Sequence, residues 1–325
     1  MAERASAPEV VCIGVHVLDV LGGPVTEMPA AGRAELVDEI TMSVAGTAGG
    51  VAVDLARHGV RTATIGVVGD DVAGHLLRQM MGDHGIDVTG VRTSAELQTS
   101  MSMHAIGTDG ERRPIHVVGA NRLLGIDDVM PVAASGARAI HLGGLDVLPG
   151  LWSAAPELVA SWRRAGAVTS LDLLGRRPSD ADVDWPALLP HVDWFLPNDA
   201  QLLQLSACTE LIDAITWALD RGARRVVLTL GPDGAVLATV DDIVHVPARQ
   251  VAVRDTTGCG DAVVGGILAA LLAGRDDATA VELGVVAGST NARAMGSDAG
   301  LAGIDALTAA ARALPVRPPT VVVRR

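Results

Sequence analysis

Between residues 254 and 266 the chain reads RDTTGCGDAVVGG. Gly258 and Gly260 permit a tight, left-handed backbone, and the run that follows, AVVGGILAALLAG, reads as a buried helix. The stretch is expected to form a strand, a glycine-rich turn and a helix that opens at the turn. Backbone N–H groups at such a helix start lack intrahelical partners and point outward, where they can hold an anion. An aspartate in that place repels the anion, so Asp261 needs a reason. As a general base it would take a proton from a substrate hydroxyl. The amides of Gly258, Cys259 and Gly260 would meanwhile hold charge building on a transferring phosphoryl group. The plainer reading, that Asp261 only caps the helix, stands beside it.

Composition narrows the chemistry. The chain has 325 residues, a net charge of −13 and no lysine. Without lysine there is no P-loop, no ATP-pairing lysine of a protein kinase and no Schiff base with pyridoxal phosphate. ATP, if used, must be held by backbone amides, arginines and metal. The acidic balance argues against nucleic-acid binding. Three scattered cysteines, Cys12, Cys208 and Cys259, argue against a disulfide framework and suit a reducing cytoplasm. No signal peptide is read in MAERASAPEVV, and no apolar run reaches the roughly 20 residues that span a bilayer. The expectation is a cytoplasmic protein with no membrane partner.

The elements that must position these residues alternate. EVVCIGV reads as a strand, GGVAVDLARHGV as a helix and RTATIGVVG as a strand; DDVAGHLLRQMMGDHG is a helix with a glycine stop. ARAIHLGG, AVTSLDLL, DWFLPN and RRVVLTLG continue as strands, with helices near 152–165, after Asn198 and over ELIDAITWALDRG. Such βαβ alternation predicts an α/β fold: a doubly wound, mostly parallel sheet with helices on both faces. Residues 16–44 and 98–119 break the rhythm with β-leaning segments such as TSMSMHAI and RRPIHVV. They would pair as a small antiparallel sheet inserted in one domain spanning 1–325, or else run as surface loops. The end, LPVRPPTVVVRR, reads as an appended arm or a frayed tail.

DTTGCGDAVVGG is similar to the C-terminal signature of the ribokinase, or PfkB, family of carbohydrate kinases, whose pattern is Asp-Thr-x-Gly/Ala-x-Gly-Asp. GTAGGVAVDLARHG followed by IGVVGDDVAG resembles the family's N-terminal signature. FLPND resembles its Asn-x-x-Glu region, and TLGPDG its ATP-binding Thr-x-Gly-x-x-Gly, in matching order from about residue 10 to 300. The resemblance implies a ribokinase-like fold with a small β-sheet lid over the sugar. It implies an ATP-dependent kinase with Asp261 as base and Gly258, Cys259 and Gly260 as anion hole. Asp19 and the backbone around Gly46 would bind sugar hydroxyls. Thr229, Gly231 and Gly234 would lie along the nucleotide, and Asn198 near the phosphates and their Mg2+. Asp255 and Thr257 would hold a monovalent cation, K+, together with backbone carbonyls near 291–300. His116 and Asn121 fall where the lid returns, within reach of a sugar.

Each placement has a plainer counterpart. Pro-Asp-Gly in TLGPDG is a turn signal, Asp19 fits a solvated loop, and His116 and His141 fit structural roles in apolar segments. Two departures from the pattern stand out. Gly50 occupies the place of an asparagine that hydrogen-bonds the sugar, which leaves room for a larger substrate or for water. Gln201 removes a negative charge from the magnesium environment, and a Gln201→Glu change would be expected to lower the Mg2+ requirement. The reading is phosphoryl transfer from ATP to a hydroxyl of a small sugar-like substrate, with room for a homodimer through the lid. A nucleoside kinase is the alternative enzyme. A catalytically weak sugar-binding or regulatory protein of the same fold is the alternative from another class.

Overall fold

The computed structural model describes residues 7–175 and 183–318; the chain ends read above, 1–6 and 319–325, lie outside the described residues. Strand β1 (Val10–Gly14) is buried along its whole length. Val11 and Ile13 pack into one hydrophobic layer, Val10 and Cys12 into another. A strand covered on both sides reads as a continuous apolar run, as VVCIG does. The first layer is completed by the helices Ala155–Arg164 and Leu211–Asp220. The second is completed by the helices Gly49–Arg57, Val72–Asp83, Cys259–Leu272 and Asp277–Asn291.

The large sheet also takes β4 (Thr62–Gly69), β5 (Asp87–Ser94), β8 (Ala139–Gly143), β9 (Val168–Asp172), β10 (Trp194–Phe195), β11 (Val226–Thr229), β12 (Ala235–Ala238) and β13 (Ile243–Val246). Its order is β13-β12-β11-β10-β9-β8-β1-β4-β5. Only the β11–β12 and β12–β13 pairs are antiparallel. The winding direction reverses beside β1, between β8 and β4. In open α/β sheets the crevice at the carboxyl ends of the strands near such a reversal is where ligands bind. DWFLPN yields only the two residues of β10, because Pro197 lacks the N–H needed to extend the ladder.

The second sheet is formed from the two irregular regions: β2 (Val17–Val25), β3 (Glu39–Ala45), β6 (Met101–Gly107) and β7 (Arg112–Val117), in the order β3-β2-β6-β7. It is mixed rather than antiparallel, since the central pair β2–β6 is parallel. The reason is geometric. β2 leaves the end of β1 and β6 follows β5, and both rise from the same carboxyl edge of the parallel sheet. Alternation then gives the lid two faces. Ser43, Asp19, Ser102 and His116 stand in register across the four strands, and so do Met42, Val20, Met103 and Ile115 one residue away.

Candidate active site

The RDTTGCGD segment contains the expected turn and helix but no strand ahead of them. Its N–H groups are taken by other partners. Arg254 donates to the Ala292 carbonyl at 2.7 Å and Thr256 to the Gly110 carbonyl at 3.3 Å. Gly258 is the helix N-cap with φ +72°, and a Cβ there would lie 2.5 Å from Ser297 Cα. Only glycine fits that turn. No side chain caps the helix. Asp261 sits in its first turn, and among the described residues no hydrogen bond or ion pair holds its carboxylate. It is therefore not a cap. Burial pushes its carboxyl up to about 7, against the pull of Arg112 and with a further push from Asp19. A carboxyl poised there can take and return a proton near neutral pH. Burial drives the Cys259 thiol up to about 12, so this residue offers its amide rather than a thiolate.

Gly50 is not a gap. A Cβ at this position would stand 2.5 Å from Asp261 Oδ2, so the carboxylate already fills the space that the sequence left open for substrate or water. Four residues on, Asp54 answers with the reverse contact: a Cβ on Gly265 would lie 2.6 Å from Asp54 Cβ. Helices Gly49–Arg57 and Cys259–Leu272 thus cross with each aspartate lying over a glycine of the other. Asp54 is buried with Oδ2 unpartnered, and burial together with Asp261 holds its carboxyl well above the usual range.

The lid's inner face brings Asp19, Ser43, Ser102 and His116 together, as the register requires. Asp19 is buried, and His104 Nε2 lies 3.2 Å from its Oδ2. The approach is off-line, so neither ring nitrogen of His104 makes a hydrogen bond although both are buried. His116 Nδ1 lies 2.9 Å from Ser102 Oγ; partial burial lowers its pKa although Asp19 opposes this. Asn121 belongs elsewhere. It is fully buried, accepts from His16 N at 3.0 Å and donates to His16 O at 2.9 Å. Its amide braces the β1–β2 junction that aims Asp19 rather than facing a sugar. His16 and His141 are buried and pushed down to about 4, hence neutral structural groups. Gly46 is buried at the start of the crossing helix, where its carbonyl accepts from Gly50 N at 2.7 Å.

At the sheet's carboxyl edge an isolated parallel bridge joins Asn198 to Thr229, so FLPND and TLGPDG lie side by side. TLGPDG is indeed a turn: Gly231–Asp233 forms a 3-10 turn linking β11 to β12, with Gly234 closing it. Gly231 is exposed with nothing within 4 Å of a built Cβ, which leaves its backbone open to a ligand. Gln201 is fully engaged. Its Oε1 accepts from Asn198 N and its Nε2 donates to the Leu173 carbonyl, each at 2.8 Å. Asn198 Oδ1 in turn accepts from Gln201 N, which completes a capping box. Asp172, at the end of β9, accepts from Gly144 N at 3.1 Å; burial and then Asp261 keep its carboxyl well above the usual range.

Asp255 and Thr257 also come together. Asp255 Oδ1 accepts from the Thr257 N–H and hydroxyl at 2.9 and 2.7 Å, and Oδ2 from Gly296 N at 2.9 Å. Asp255 is completely buried, and no basic side chain pairs with it among the described residues. A buried carboxylate without a counter-charge is costly, so the site's chemistry suits a cation. For Mg2+ the fit is different. Among the described residues no three acidic, histidine or cysteine side chains cluster as a ready ligand set. That suits an ion carried mainly by phosphates and waters, with the protein adding few ligands.

Sequence reasoning missed His104, Arg112, Asp54 and Asp172. The signal for His104 was the alternation in TSMSMHAI, which puts it on the face of Ser102. Asp54 and Asp172 carry no local signal, since only the crossing of distant elements brings them near Asp261.

Fold and site together define a ribokinase-like kinase scaffold: a parallel sheet, a lid, and a glycine turn presenting a lone carboxylate. The chain matches the pfkB family of carbohydrate kinases over residues 7–302 and belongs to that family. It is 34% identical over 230 residues to aminoimidazole riboside kinase of Salmonella typhimurium, covering 69% of this chain and 72% of the relative. It is 30% identical over 262 residues to a fructokinase of Klebsiella pneumoniae, covering 78% and 84%. Among solved structures, aminoimidazole riboside kinase from Salmonella enterica, bound to aminoimidazole riboside and an ATP analog, aligns with a TM-score of 0.74 at 26% identity. That alignment covers 93% of this chain and 99% of the other. No single helix among the described residues is long and apolar enough to cross a membrane.

Proposed function

We propose that the protein transfers the γ-phosphate of ATP to a hydroxyl of a sugar or sugar-like substrate, with Asp261 as general base. The observation that carries this is Asp261 itself: in the first turn of the helix, unbonded, poised near neutrality and adjacent to the amides of Gly258 and Gly260, while the Cys259 N–H donates to the Thr256 carbonyl at 3.4 Å. The acceptor hydroxyl lies between Asp261 and the lid, where Asp19, His104 and His116 meet its neighbouring hydroxyls. The amides of the turn hold the developing negative charge. Asn198, Thr229, Gly231 and Gly234 flank the nucleotide along the adjoining edge. Mg2+ brought in with ATP supplies charge neutralisation of the phosphates near Asn198. Asp255 and Thr257 hold K+ behind the turn and fix its amides.

A riboside substrate is the second reading, favoured by the relative that acts on aminoimidazole riboside. A coupled ADP-release assay across pentoses, hexoses, sugar acids, sugar phosphates and ribosides separates the two. Saturable turnover on a sugar or riboside supports the kinase; none on any acceptor leaves the weak binding protein as the better reading.

The lid's outer row, Met42, Val20, Met103 and Ile115, presents a contiguous apolar face with Ile40 beside it. We propose that this face meets the same face of a second copy, since isologous pairing covers an apolar sheet on both partners at once. Sedimentation of the parent and of Met103→Glu tests it; two species of equal, monomeric mass remove the dimer.

A further inference from the structure

The lid is latched at the anion-hole turn from both sides. On one side the hairpin tip is tied down: the Gly110 carbonyl accepts from Thr256 N at 3.3 Å and from Thr256 Oγ1 at 3.4 Å. On the other, Ser43 Oγ accepts from Ser297 N at 2.9 Å, and Ser297 packs directly on Gly258. Glu39 of the lid also pairs with Arg254. Arg112 stands two residues past Gly110, opposite Ile106, and alternation puts it on the inner face with Pro114 and His116. The latch therefore holds the strand that carries Arg112 beside the turn.

That guanidinium has no assigned task. Arg92, Arg163, Arg225, Arg249 and Arg254 each pair with a carboxylate. Arg112 is exposed, and among the described residues no carboxylate, carbonyl or ring engages it. Its charge nevertheless falls on both sides of the transfer point. After burial it is the strongest influence on Asp261, and it also acts on Cys259 in the anion-hole turn. A group felt by both lies near both, on the side of the turn that the lid covers. In a chain without lysine, only an arginine can supply a side-chain cation there that keeps its charge at every working pH.

We propose that Arg112 is a catalytic arginine delivered by the lid, whose guanidinium binds the equatorial oxygens of the phosphoryl group in transfer. The proposal rests on the kinase reading above. The bond from phosphorus to the ADP oxygen breaks, the bond to the acceptor oxygen forms, and the acceptor's proton goes to Asp261. Arg112 keeps its own protons throughout and only offsets the charge. Its planar fork suits two phosphoryl oxygens at once. Because it arrives with the lid, the site is complete only when the acceptor is covered, which limits transfer to water.

The test compares the parent with Arg112→Gln and Arg112→Ala on the best acceptor. We expect kcat to fall by about 10²–10³, the usual scale for losing a preorganised donor, with acceptor KM little changed. ADP should bind all three alike, which also reports a folded site. ADP with aluminium fluoride, a planar stand-in for the phosphoryl group, should bind the variants more weakly by a similar factor. Guanidinium chloride at millimolar concentration should restore part of the Arg112→Ala rate. An unchanged kcat with a raised KM confined to acidic acceptors would mean that Arg112 reads an anionic group of the acceptor, and would overturn the proposal. So would unchanged kinetics throughout. If the parent transfers phosphate to no acceptor, the kinase reading itself falls and this proposal with it; an active parent with unaffected variants removes only the role of Arg112.

Discussion

Replacing Asp261 by asparagine should abolish turnover and yet make the protein harder to unfold at alkaline pH. The carboxyl rises from 3.8 in the free group to about 7 in the folded chain. Between those values the folded state binds more protons than the unfolded state, so this group's contribution to stability falls as pH rises. Three pK units are worth roughly 4 kcal/mol. Part of the Asp261 surface faces the cleft, and water there screens a share of the effect. About 2 kcal/mol is the expected advantage that Asp261→Asn gains over the parent on going from pH 5 to pH 8. Asparagine keeps the shape and carries no charge at either pH, so its stability should lack this slope. Urea unfolding of both proteins at pH 5 and pH 8 reads the difference. Turnover should drop roughly 10²–10⁴-fold, and the parent's rate should climb with pH through about 7 as the base ionises. A variant less stable than the parent by the same amount at both pH values would refute the reasoning. It would mean that the helix start stabilises the carboxylate, as it does an ordinary first-turn acid, and that the base is not poised at neutrality.

Gln201→Glu should not lower the Mg2+ requirement. It loses the Nε2 donor to the Leu173 carbonyl, sets a carboxylate against that oxygen beside Asp172, and should destabilise the protein by about 1–3 kcal/mol; a lower half-saturating Mg2+ at unchanged melting temperature would show that the new carboxylate turns to the ion. Asp255→Asn should abolish K+ activation and weaken the 255–257 turn, while the parent should run faster in K+ than in Na+ at equal ionic strength; equal rates in both salts and in neither would remove the cation site.

The sheet was readable because its strands are short apolar runs punctuated by glycine and its helices carry stop signals at Gly59 and Gly85. The turn and its first-turn carboxylate were readable because seven adjacent residues, Asp255 to Asp261, carry them. The lid's existence showed as a break in rhythm, but its parallel central pair did not, because pairing direction depends on where β2 and β6 leave the large sheet. Gly50 was misread for a related reason: the atom that fills its space belongs to a residue 211 positions away, since 261 − 50 = 211. Asn121 failed in the same way, since its two shortest bonds run to the main chain of the distant His16.

The lid's two faces alternate residue by residue, polar Ser102 beside apolar Met103, Asp19 beside Val20. A substitution changes one side chain and leaves the rest of its face in place. Losing or gaining a single residue inside β2 or β6 does more, because every later side chain in that strand changes sides. Such a slip would turn a methionine toward the inner face and a serine toward the outer one, and so would undo the proposed acceptor site and the proposed dimer face in one event. Inserted or deleted residues should therefore be tolerated only in the lid's connections, such as 26–38, where no strand pairing fixes the count.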